Sequence, residues 1–275
     1  MQGRARLHRR GRPHDKGSDM KRIGLYELTG CAGEMLHILG MEDILLDLFS
    51  RVEIAEWLIA SSGKRPGRVD IAFVEGSVTT ERDLETLRAI RENSDILVAI
   101  GDCAVWGGVQ ASTTGEDPRR LMREVYGTEE NLFGFLGEHR GLSEFVKVDP
   151  ELPGCPIEQD KFVRLLLELT EGITPRAKDY PVCVECKIRE IPCLIVERGE
   201  PCLGPVTVGG CRARCPLYGT PCIGCRGPVR DEANVAGEVA ALREKGWSDA
   251  EIVRRLELFA KRYQGMSGLL GGGGK

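Results

Sequence analysis

The sequence has no excess of charge of one sign and no long hydrophobic run. Its 38 basic and 42 acidic residues give a formal net charge of −4, so it lacks the basic surplus that binding to duplex nucleic acid requires. Its apolar runs, such as residues 96–101 and 162–169, are far shorter than the roughly 20 residues that span a bilayer. We therefore expect no nucleic acid partner and no membrane span.

Two further motifs are missing. The first nineteen residues are basic but contain no apolar core of a secretory signal, and the Arg9-Arg10 pair precedes no hydrophobic stretch. We interpret residues 1–19 as a disordered extension, or as sequence upstream of a start at Met20, and we expect a cytoplasmic protein. The sequence also lacks a Gly-x-Gly-x-x-Gly loop between a strand and a helix, so nucleotide binding has no support.

Cysteine, by contrast, is plentiful and unevenly distributed. The chain has eleven cysteines, and eight of them lie between residues 183 and 225. An odd total argues against complete pairing as disulfides, and clustered cysteines in a reducing compartment are more often metal ligands than bridges. Metal binding is therefore the favoured interpretation.

The first half of the chain has the pattern of an α/β domain. Apolar, β-branched runs at residues 22–28, 52–60, 69–74, 96–100 and 145–148 predict strands, and the spacing of apolar residues at 35–49, 81–91 and 161–169 predicts helices. Strands that alternate with helices indicate a mainly parallel, doubly wound sheet with helices on both faces. We assign this domain to residues 20–172.

The next stretch has a different composition. Residues 173–230 are dense in cysteine, glycine and proline and contain no convincing amphipathic helix. Such a segment buries too little apolar surface to order itself, so metal–thiolate bonds are expected to form part of its core. Residues 231–275 follow as C-terminal helices, with starts at Asp231 and Ser248 and a flexible glycine tail at residues 271–274.

Three cysteines of the first half follow predicted strands. Cys31, Cys103 and Cys155 each have a glycine within two residues, and loops after parallel strands share one edge of the sheet, where ligands bind. A single one of them has roughly even odds of being a buried apolar residue; three at matching positions favour a metal cluster. Three thiolates leave a four-iron cluster one ligand short, and Glu34, Glu75 and water are the candidates.

The later cysteines match the ligand count of two four-iron clusters. Their paired spacing also allows a zinc ribbon, but the two Cys-x-x-Cys pairs lie too far apart and four cysteines would be left over. Prolines adjoin several of them, as in ferredoxin-type motifs. The spacing does not reveal which of them share a cluster. The eight are Cys183, Cys186, Cys193, Cys202, Cys211, Cys215, Cys222 and Cys225.

Taken together, the strand-end motifs ELTGC, VEGSV, GDCAVWGG and LPGCP and the later PVCVECK, PCLGPVT, GCRARCP and PCIGCRGPV resemble the small subunit of cytoplasmic [NiFe] hydrogenases. The similar groups are the coenzyme F420-reducing, methyl-viologen-reducing and sulfhydrogenase types, with more distant similarity to the cluster-bearing 20 kDa subunit of respiratory complex I. The resemblance covers about residues 21–230.

The resemblance implies a flavodoxin-like domain whose proximal cluster faces a separate large subunit with the nickel–iron centre. The later segment would be a small ferredoxin-like unit with the medial and distal clusters, giving three iron–sulfur clusters, each expected to be [4Fe-4S]. Cys31, Cys103 and Cys155 match proximal ligands, and no residue of this chain is catalytic. The onward electron partner would be a flavin, F420, NAD(P) or heterodisulfide-reductase-type subunit.

One position departs from the family pattern. Most relatives have a second cysteine three residues after the first, where this chain has Glu34. Some F420-reducing relatives use an acidic residue, at a position that resembles Glu75. A proximal cluster with three cysteines and one carboxylate is therefore favoured, with Glu34 ahead of Glu75; a three-iron cluster stays open.

Two other functions remain as alternatives. The chain is either an iron–sulfur carrier in a complex-I-like or heterodisulfide-reductase-linked assembly without hydrogenase activity, or a zinc-stabilised interaction protein. His139 has no supporting context in the sequence, and Trp106 is expected to pack at a subunit interface.

Overall fold

A computed structural model describes residues 20–60, 67–176, 180–229 and 233–259. The predictions for residues 1–19, for a helix start at Asp231 and for the glycine tail at 271–274 lie outside these ranges. The strands of the described residues are β1 (Lys21–Glu27), β2 (Val52–Trp57), β3 (Val69–Glu75), β4 (Val78–Thr80), β5 (Ser94–Ile100), β6 (Phe135–Arg140) and β7 (Glu151–Leu152).

Five of these strands form a parallel sheet in the order β2-β1-β3-β5-β7. Counted along the chain, this is the 2-1-3-4-5 order of flavodoxin-like folds, whose direction of winding reverses between β1 and β3. β3 is buried almost throughout because strands in the middle of a doubly wound sheet are covered on both faces. The expected flavodoxin-like α/β fold is confirmed.

Helices cover both faces of the sheet. They are α1 (Gly33–Leu39), α2 (Glu42–Phe49), α3 (Glu81–Glu92), α4 (Gly101–Trp106), α5 (Pro118–Tyr126) and α6 (Gln159–Thr170). One apolar core joins the sheet to α1, α2 and α6, and a second joins its other face to α3 and α4. The start of α3 is fixed by a capping box, in which Thr80 and Asp83 bond each other's backbone amides.

Two predicted elements differ from the structure. Residues 35–49 form two helices, because α1 ends at Gly40 and α2 begins after Met41. Residues 145–148 are not a strand: Phe145 closes a turn onto the carbonyl of Leu142, and pairing with β5 begins only at Asp149. Their apolar side chains pack against the second core, which explains why they resemble a strand in sequence.

An excursion between α4 and β7 was not predicted. It contains a 3-10 helix at Val109–Thr113 and α5, and it returns through β6, which pairs antiparallel with β4. The excursion lies beside the strand ends, because Gly107 approaches the carbonyl of His139 in β6.

The cysteine-rich stretch contains only short helices: α7 (Val182–Ile188), α8 (Leu194–Arg198) and α9 (Arg214–Leu217). Isolated bridges join Pro181 to Val208 and Thr207 to Pro228. Two longer helices follow, α10 (Val235–Glu244) and α11 (Asp249–Leu256). Ser248 caps α11 with a capping box, as predicted, and Asn234 caps α10.

The C-terminal helices share a core with the cysteine-rich stretch. Apolar side chains of α10 and α11 pack with Leu203 and Val206, which lie between two cysteines of that stretch. The division at residues 172 and 230 stays a prediction. Among the described residues, none of the helices is both long and apolar enough to cross a bilayer.

Candidate metal centres

The first candidate site, defined by Cys31, Cys103 and Cys155, lies at the carboxyl edge of the parallel sheet. Cys31 lies between β1 and α1, Cys103 lies in the first turn of α4 behind β5, and Cys155 follows β7. Because β1, β3, β5 and β7 are consecutive in the sheet, these loops are neighbours. The site therefore lies in the crevice where ligands of such sheets bind.

The three thiols of the first site are unpaired and influence one another. Burial raises the pKa of Cys103 to about 12, and the neighbouring Cys155 and Cys31 add to the shift. Burial likewise raises the pKa of Cys155 to about 11, with Cys31 among the further causes. Cys31 and Cys155 are exposed, whereas Cys103 is half-buried. The structure thus brings the three cysteines together at an open face.

Backbone without side chains adjoins the sulfurs of this site. A Cβ atom on Gly108, which has a φ of +69°, would lie 2.5 Å from the Cys103 Sγ atom, and one on Gly33 would lie 3.0 Å from the Cys31 Sγ atom. Close backbone approach of this kind is what a bulky inorganic cluster needs from its surroundings. The glycines beside the cysteines therefore have a geometric reason.

Glu34 lies among the three thiols. Its side chain is 9% exposed, its Oε2 atom accepts a 2.8 Å hydrogen bond from the amide of Ile157, and its Oε1 atom lies so near Gly101 that a Cβ there would clash at 2.7 Å. Burial is the main cause that raises the pKa of Glu34 to about 7. Its charge in turn raises the pKa of both Cys103 and Cys155.

Glu75 is a neighbour of Glu34 but is farther from the thiols. Its Oε2 atom accepts a 2.9 Å hydrogen bond from the amide of Met35 in the first turn of α1, where a carboxylate is favourably placed. Burial raises the pKa of Glu75 to about 7 as well. Glu75 is not among the groups that shift the pKa of Cys103 or Cys155. Of the two carboxylates, Glu34 is therefore the one that faces the thiols.

The later cysteines divide into two groups along the sequence. The early group is held by α7, by the start of α8 and by the turn before Gly204. Burial raises the pKa of Cys183 to about 12, and Cys202, Cys186 and Cys193 contribute in that order. A Cβ on Gly204 would lie 3.3 Å from the Cys183 Sγ atom and 3.6 Å from the Cys202 Sγ atom. The early group is Cys183, Cys186, Cys193 and Cys202.

The late group consists of Cys211, Cys215, Cys222 and Cys225. Burial raises the pKa of Cys225 to about 12, and Asp102, Cys211 and Cys215 add to the shift. Burial also raises the pKa of Cys222, whose neighbours are Cys202 and Cys225. The amide of Cys222 donates a 3.2 Å hydrogen bond to the Cys202 sulfur, so the two groups are in contact.

Backbone amides point at several of these sulfurs. The amides of Arg214 and Ala213 lower the pKa of Cys211, and that of Gly224 lowers the pKa of Cys222, each against the larger effect of burial, while the Cys222 amide donates to the Cys202 sulfur. Amide hydrogen bonds to sulfur stabilise cluster thiolates and tune their potential, so donors and surroundings fit iron–sulfur clusters. Within the described ranges, no three His, Cys, Asp or Glu side chains are gathered closely enough to hold a single metal ion.

The late group touches the first site. The backbone amide of Cys155 lies near the Cys225 sulfur and lowers the pKa of that thiol against the larger effect of burial. Next to it, Arg226 is buried, pairs with Glu158 and donates from Nε to the carbonyl of Gly209 at 3.2 Å. The Arg226 charge also lowers the pKa of buried Asp102, although burial keeps that pKa well above its usual range.

Sequence reasoning missed three buried charged residues. Asp102 precedes Cys103 and Arg226 follows Cys225, so adjacency to a cysteine was the available signal. Glu238 of α10 is not adjacent to a cysteine, so the sequence carries no such signal for it. In the structure it is 4% exposed, and its Oε1 atom has no hydrogen-bond partner in the described residues. Burial raises its pKa to about 7. Its charge raises the pKa of Cys183 and Cys202, so it lies near the early group.

Trp106 packs within the chain. Gly227, with a φ of +70°, faces the Trp106 ring so closely that a Cβ would lie 2.2 Å from its Nε1 atom. Trp106 thus joins α4 to the cysteine-rich stretch, and the predicted interface role stays a prediction.

Comparison with known proteins relates the chain to subunits of redox complexes. A family model described as "NADH ubiquinone oxidoreductase, 20 Kd subunit" matches residues 29–169, which include the first site and end before the early group. Sulfhydrogenase 2 subunit delta of Pyrococcus furiosus is 44% identical over 240 residues, which cover 87% of this chain and 99% of that protein.

Two more comparisons agree with this family. A subunit of the F420-non-reducing hydrogenase vhu of Methanocaldococcus jannaschii is 30% identical, and the match covers 86% of this chain and 92% of that protein. A chain in the crystal structure of an NAD+-reducing [NiFe]-hydrogenase in the H2-reduced state has 31% identity and a TM-score of 0.53, covering 57% of this chain and 95% of that one.

Proposed function

The chain belongs to the family of the NADH ubiquinone oxidoreductase 20 Kd subunit, and on that premise we propose that it is the electron-transfer small subunit of a [NiFe] hydrogenase complex. The observation that carries the proposal is the contact between the first site and the late group, and between the late and early groups. Eleven cysteines thus form one connected series, as an electron relay requires.

The first site would hold the proximal cluster. Cys31, Cys103 and Cys155 supply three thiolates, and Glu34 supplies the fourth ligand or faces a water that does. Its place beside Cys103 and Cys155 favours it over Glu75, which is engaged with the amide of Met35. The exposure of Cys31 and Cys155 supports a partner chain over this face, and we assign that partner as the large subunit with the nickel–iron centre.

The late and early groups would hold the medial and distal clusters. Four thiolates in each group complete two [4Fe-4S] clusters. The proximity of the Cys155 amide to the Cys225 sulfur favours the late group as the medial one. Bound clusters would supply one-electron transfer, while the surrounding amides and buried side chains hold the thiolates and exclude water.

The remaining partners follow the family. The chain would pass electrons to a flavin, F420, NAD(P) or heterodisulfide-reductase-type subunit in the cytoplasm. No residue of the chain is assigned to hydrogen cleavage itself.

Native isolation tests the proposal. The complex purified anaerobically through a tag on this chain should contain a large subunit with nickel, about twelve irons on this chain, and hydrogen-dependent dye reduction. Metal analysis of the separated subunits assigns each metal to its chain. A colourless complex with zinc in place of iron would exclude the proposal.

A second candidate is an iron–sulfur carrier of a complex-I-like or heterodisulfide-reductase-linked assembly without hydrogenase activity. The presence of Glu34 near the first-site thiols favours it, since an altered proximal ligand changes the reduction potential. A brown complex with the full iron content but no nickel and no reaction with hydrogen would decide for this candidate.

A further inference from the structure

A side chain that belongs to none of the proposed ligands contacts the first site. Gln110 lies in the 3-10 helix Val109–Thr113, and its Oε1 atom accepts a hydrogen bond of 3.5 Å from the Cys103 thiol. On the other side of the amide, its Nε2 atom donates to the carbonyl of Thr29 at 2.9 Å and to Ser77 Oγ at 2.7 Å. The Gln110 amide therefore bridges a ligand sulfur and two loops at the strand ends.

The hydrogen bonds continue away from the sulfur. Ser77 Oγ and Thr79 Oγ1 lie 3.0 Å apart, and Thr79 Oγ1 lies 3.0 Å from the Nδ1 atom of His139. The Nε2 atom of His139 lies 3.1 Å from Thr113 Oγ1, which donates to the backbone carbonyl of Gln110 at 2.9 Å. The series thus begins and ends at one residue, and His139, which lacked context in the sequence, is part of it.

The donors and acceptors fix the direction of each bond. Thr113 uses its proton on the Gln110 carbonyl, so it accepts from His139, whose Nε2 atom must carry the proton. Burial lowers the pKa of His139, which favours the neutral ring, so Nδ1 accepts from the Thr79 hydroxyl. Thr79 in turn accepts from Ser77, and Ser77 accepts from the Gln110 Nε2 atom.

The orientation of the Gln110 amide follows from this series. The Ser77 proton is used on Thr79 or on the carbonyl of Thr29, to which Ser77 Oγ also donates at 3.5 Å. That carbonyl can only accept, so both groups require the amide nitrogen on their side. The Gln110 oxygen is therefore left facing Cys103. Since Ser77 is fully buried and Thr79 nearly so, water does not compete for these positions, and a flipped amide would leave buried polar groups unpaired.

We propose that Gln110 is a positioning residue of the first site, which turns the negative end of its amide dipole toward the Cys103 sulfur and thereby lowers the reduction potential of the cluster bound there. An electron added to the cluster makes it more negative, and the nearby carbonyl oxygen disfavours that state. This inference rests on the proposed function, because it needs a cluster on Cys31, Cys103 and Cys155.

The test is a redox titration of the anaerobically isolated complex, with the proximal cluster followed by electron paramagnetic resonance. Gln110→Met keeps the length of the side chain and removes the dipole. At fixed solution potential we expect the ratio of reduced to oxidised proximal cluster to rise about fivefold, the effect of one hydrogen-bond-sized interaction. Thr79→Val breaks the series without touching Gln110 and should give a smaller shift in the same direction.

Gln159→Met is the matched control. The Gln159 amide donates to a backbone carbonyl, that of His37, at 2.9 Å, and none of the hydrogen bonds among the described residues joins Gln159 to a cysteine. The proximal cluster of this variant should therefore have the reduction potential of the wild type. An unchanged or lower potential in both Gln110→Met and Thr79→Val would overturn the inference. If the wild-type complex has no cluster on the first site, the proposed function fails instead, and the iron count separates the two results.

Discussion

The α/β domain and the cysteine-rich stretch place their cysteines by different means. In the α/β domain, aliphatic side chains fill two cores, and the cysteines of the first site lie outside them at the edge of the sheet. In the cysteine-rich stretch, Cys202 and Cys222 are themselves members of the buried core, together with Val182, Leu194 and Ile195. The α/β domain therefore holds its cysteines outside its apolar cores, whereas the cysteines of the cysteine-rich stretch are part of the core of that stretch.

Helix length gives the same contrast. The helices α7, α8 and α9 have 7, 5 and 4 residues, which is well below the length at which an isolated helix is stable. The α/β domain also has short helices, but α3 and α6 reach 12 residues and all of its core helices pack on a parallel sheet. Iron should therefore be a structural element of the cysteine-rich stretch, whereas the α/β domain should bind it on a fold that does not depend on it.

Removal of iron is the strongest way to break this comparison. Anaerobic chelation should unfold residues 180–229 while the α/β domain stays folded, because metal–thiolate bonds supply the folding energy of the stretch. Hydrogen exchange measured by mass spectrometry would report loss of protection in α7 to α9 and its retention in β3 and β5. Equal loss of protection in both regions would contradict the contrast.

The link between the regions offers the next largest effect. Arg226→Met leaves buried Asp102 and partly buried Glu158 without their cation, so we expect a loss of about 3–5 kcal/mol in the free energy of unfolding. Arg212→Met is a matched control, since Arg212 also pairs with an acid at the start of α6, Asp160, but on the surface. The control should lose less than about 1 kcal/mol. Similar losses in the two variants, measured by denaturant unfolding, would show that burial of the pair does not matter.

Glu238 tests the core beside the early group. Its pKa rises from 4.5 to about 7 on folding, so between these values the folded state holds a proton that the unfolded state lacks. Stability should therefore fall as the pH rises through this range and remain lower above it. Glu238→Gln removes this penalty. The free energy of unfolding of the variant, relative to that of the wild type, should therefore be higher at pH 8 than at pH 4.5 by on the order of 1–3 kcal/mol.

The control for this experiment is Glu244→Gln, on the exposed last residue of the same helix. Its unfolding midpoint should follow that of the wild type at both pH values. A Glu238→Gln variant with the same pH profile as the wild type would mean that the carboxyl group is not buried in solution.

The smallest effect on stability is expected at the first site. Glu34→Cys should still assemble a cluster but shift its reduction potential, because thiolate replaces a carboxylate or water ligand. Glu75→Gln keeps an oxygen that can accept from the Met35 amide and should leave the potential nearly unchanged. An unaltered proximal resonance signal in Glu34→Cys would mean that Glu34 is not a ligand.

Local pattern sufficed for much of the fold. The β-branched runs at β1, β3 and β5 and the position of the cysteines after strands predicted the sheet and the edge at which the first site lies. The strand prediction for residues 145–148 was wrong because the apolar side chains of Phe145 and Val148 pack against the second core, while their backbone forms no strand. The break at Gly40 was missed because the apolar spacing continues across it.

The residues that contact the cysteines and their neighbours could not be predicted from such local patterns. Arg226 meets Glu158 across 68 positions, and Gln110 meets Thr29 across 81, so only the folded chain brings them together. Polar residues of this kind look like ordinary surface positions in one sequence. The neighbour of a ligand is thus harder to predict than the ligand, because cysteine spacing is local and the contacts that tune it are not.

The proximity of the Cys155 amide to the Cys225 sulfur has a consequence for tunnelling. From the Cys155 sulfur, covalent bonds run through its own Cβ and Cα atoms to its amide, which lies near the Cys225 sulfur. Under the proposed function, an electron that leaves the first site would therefore cross covalent bonds of a single residue before one short step to Cys225. Replacement of a side chain other than those of Cys155 and Cys225 would leave this path intact, since its middle part is backbone.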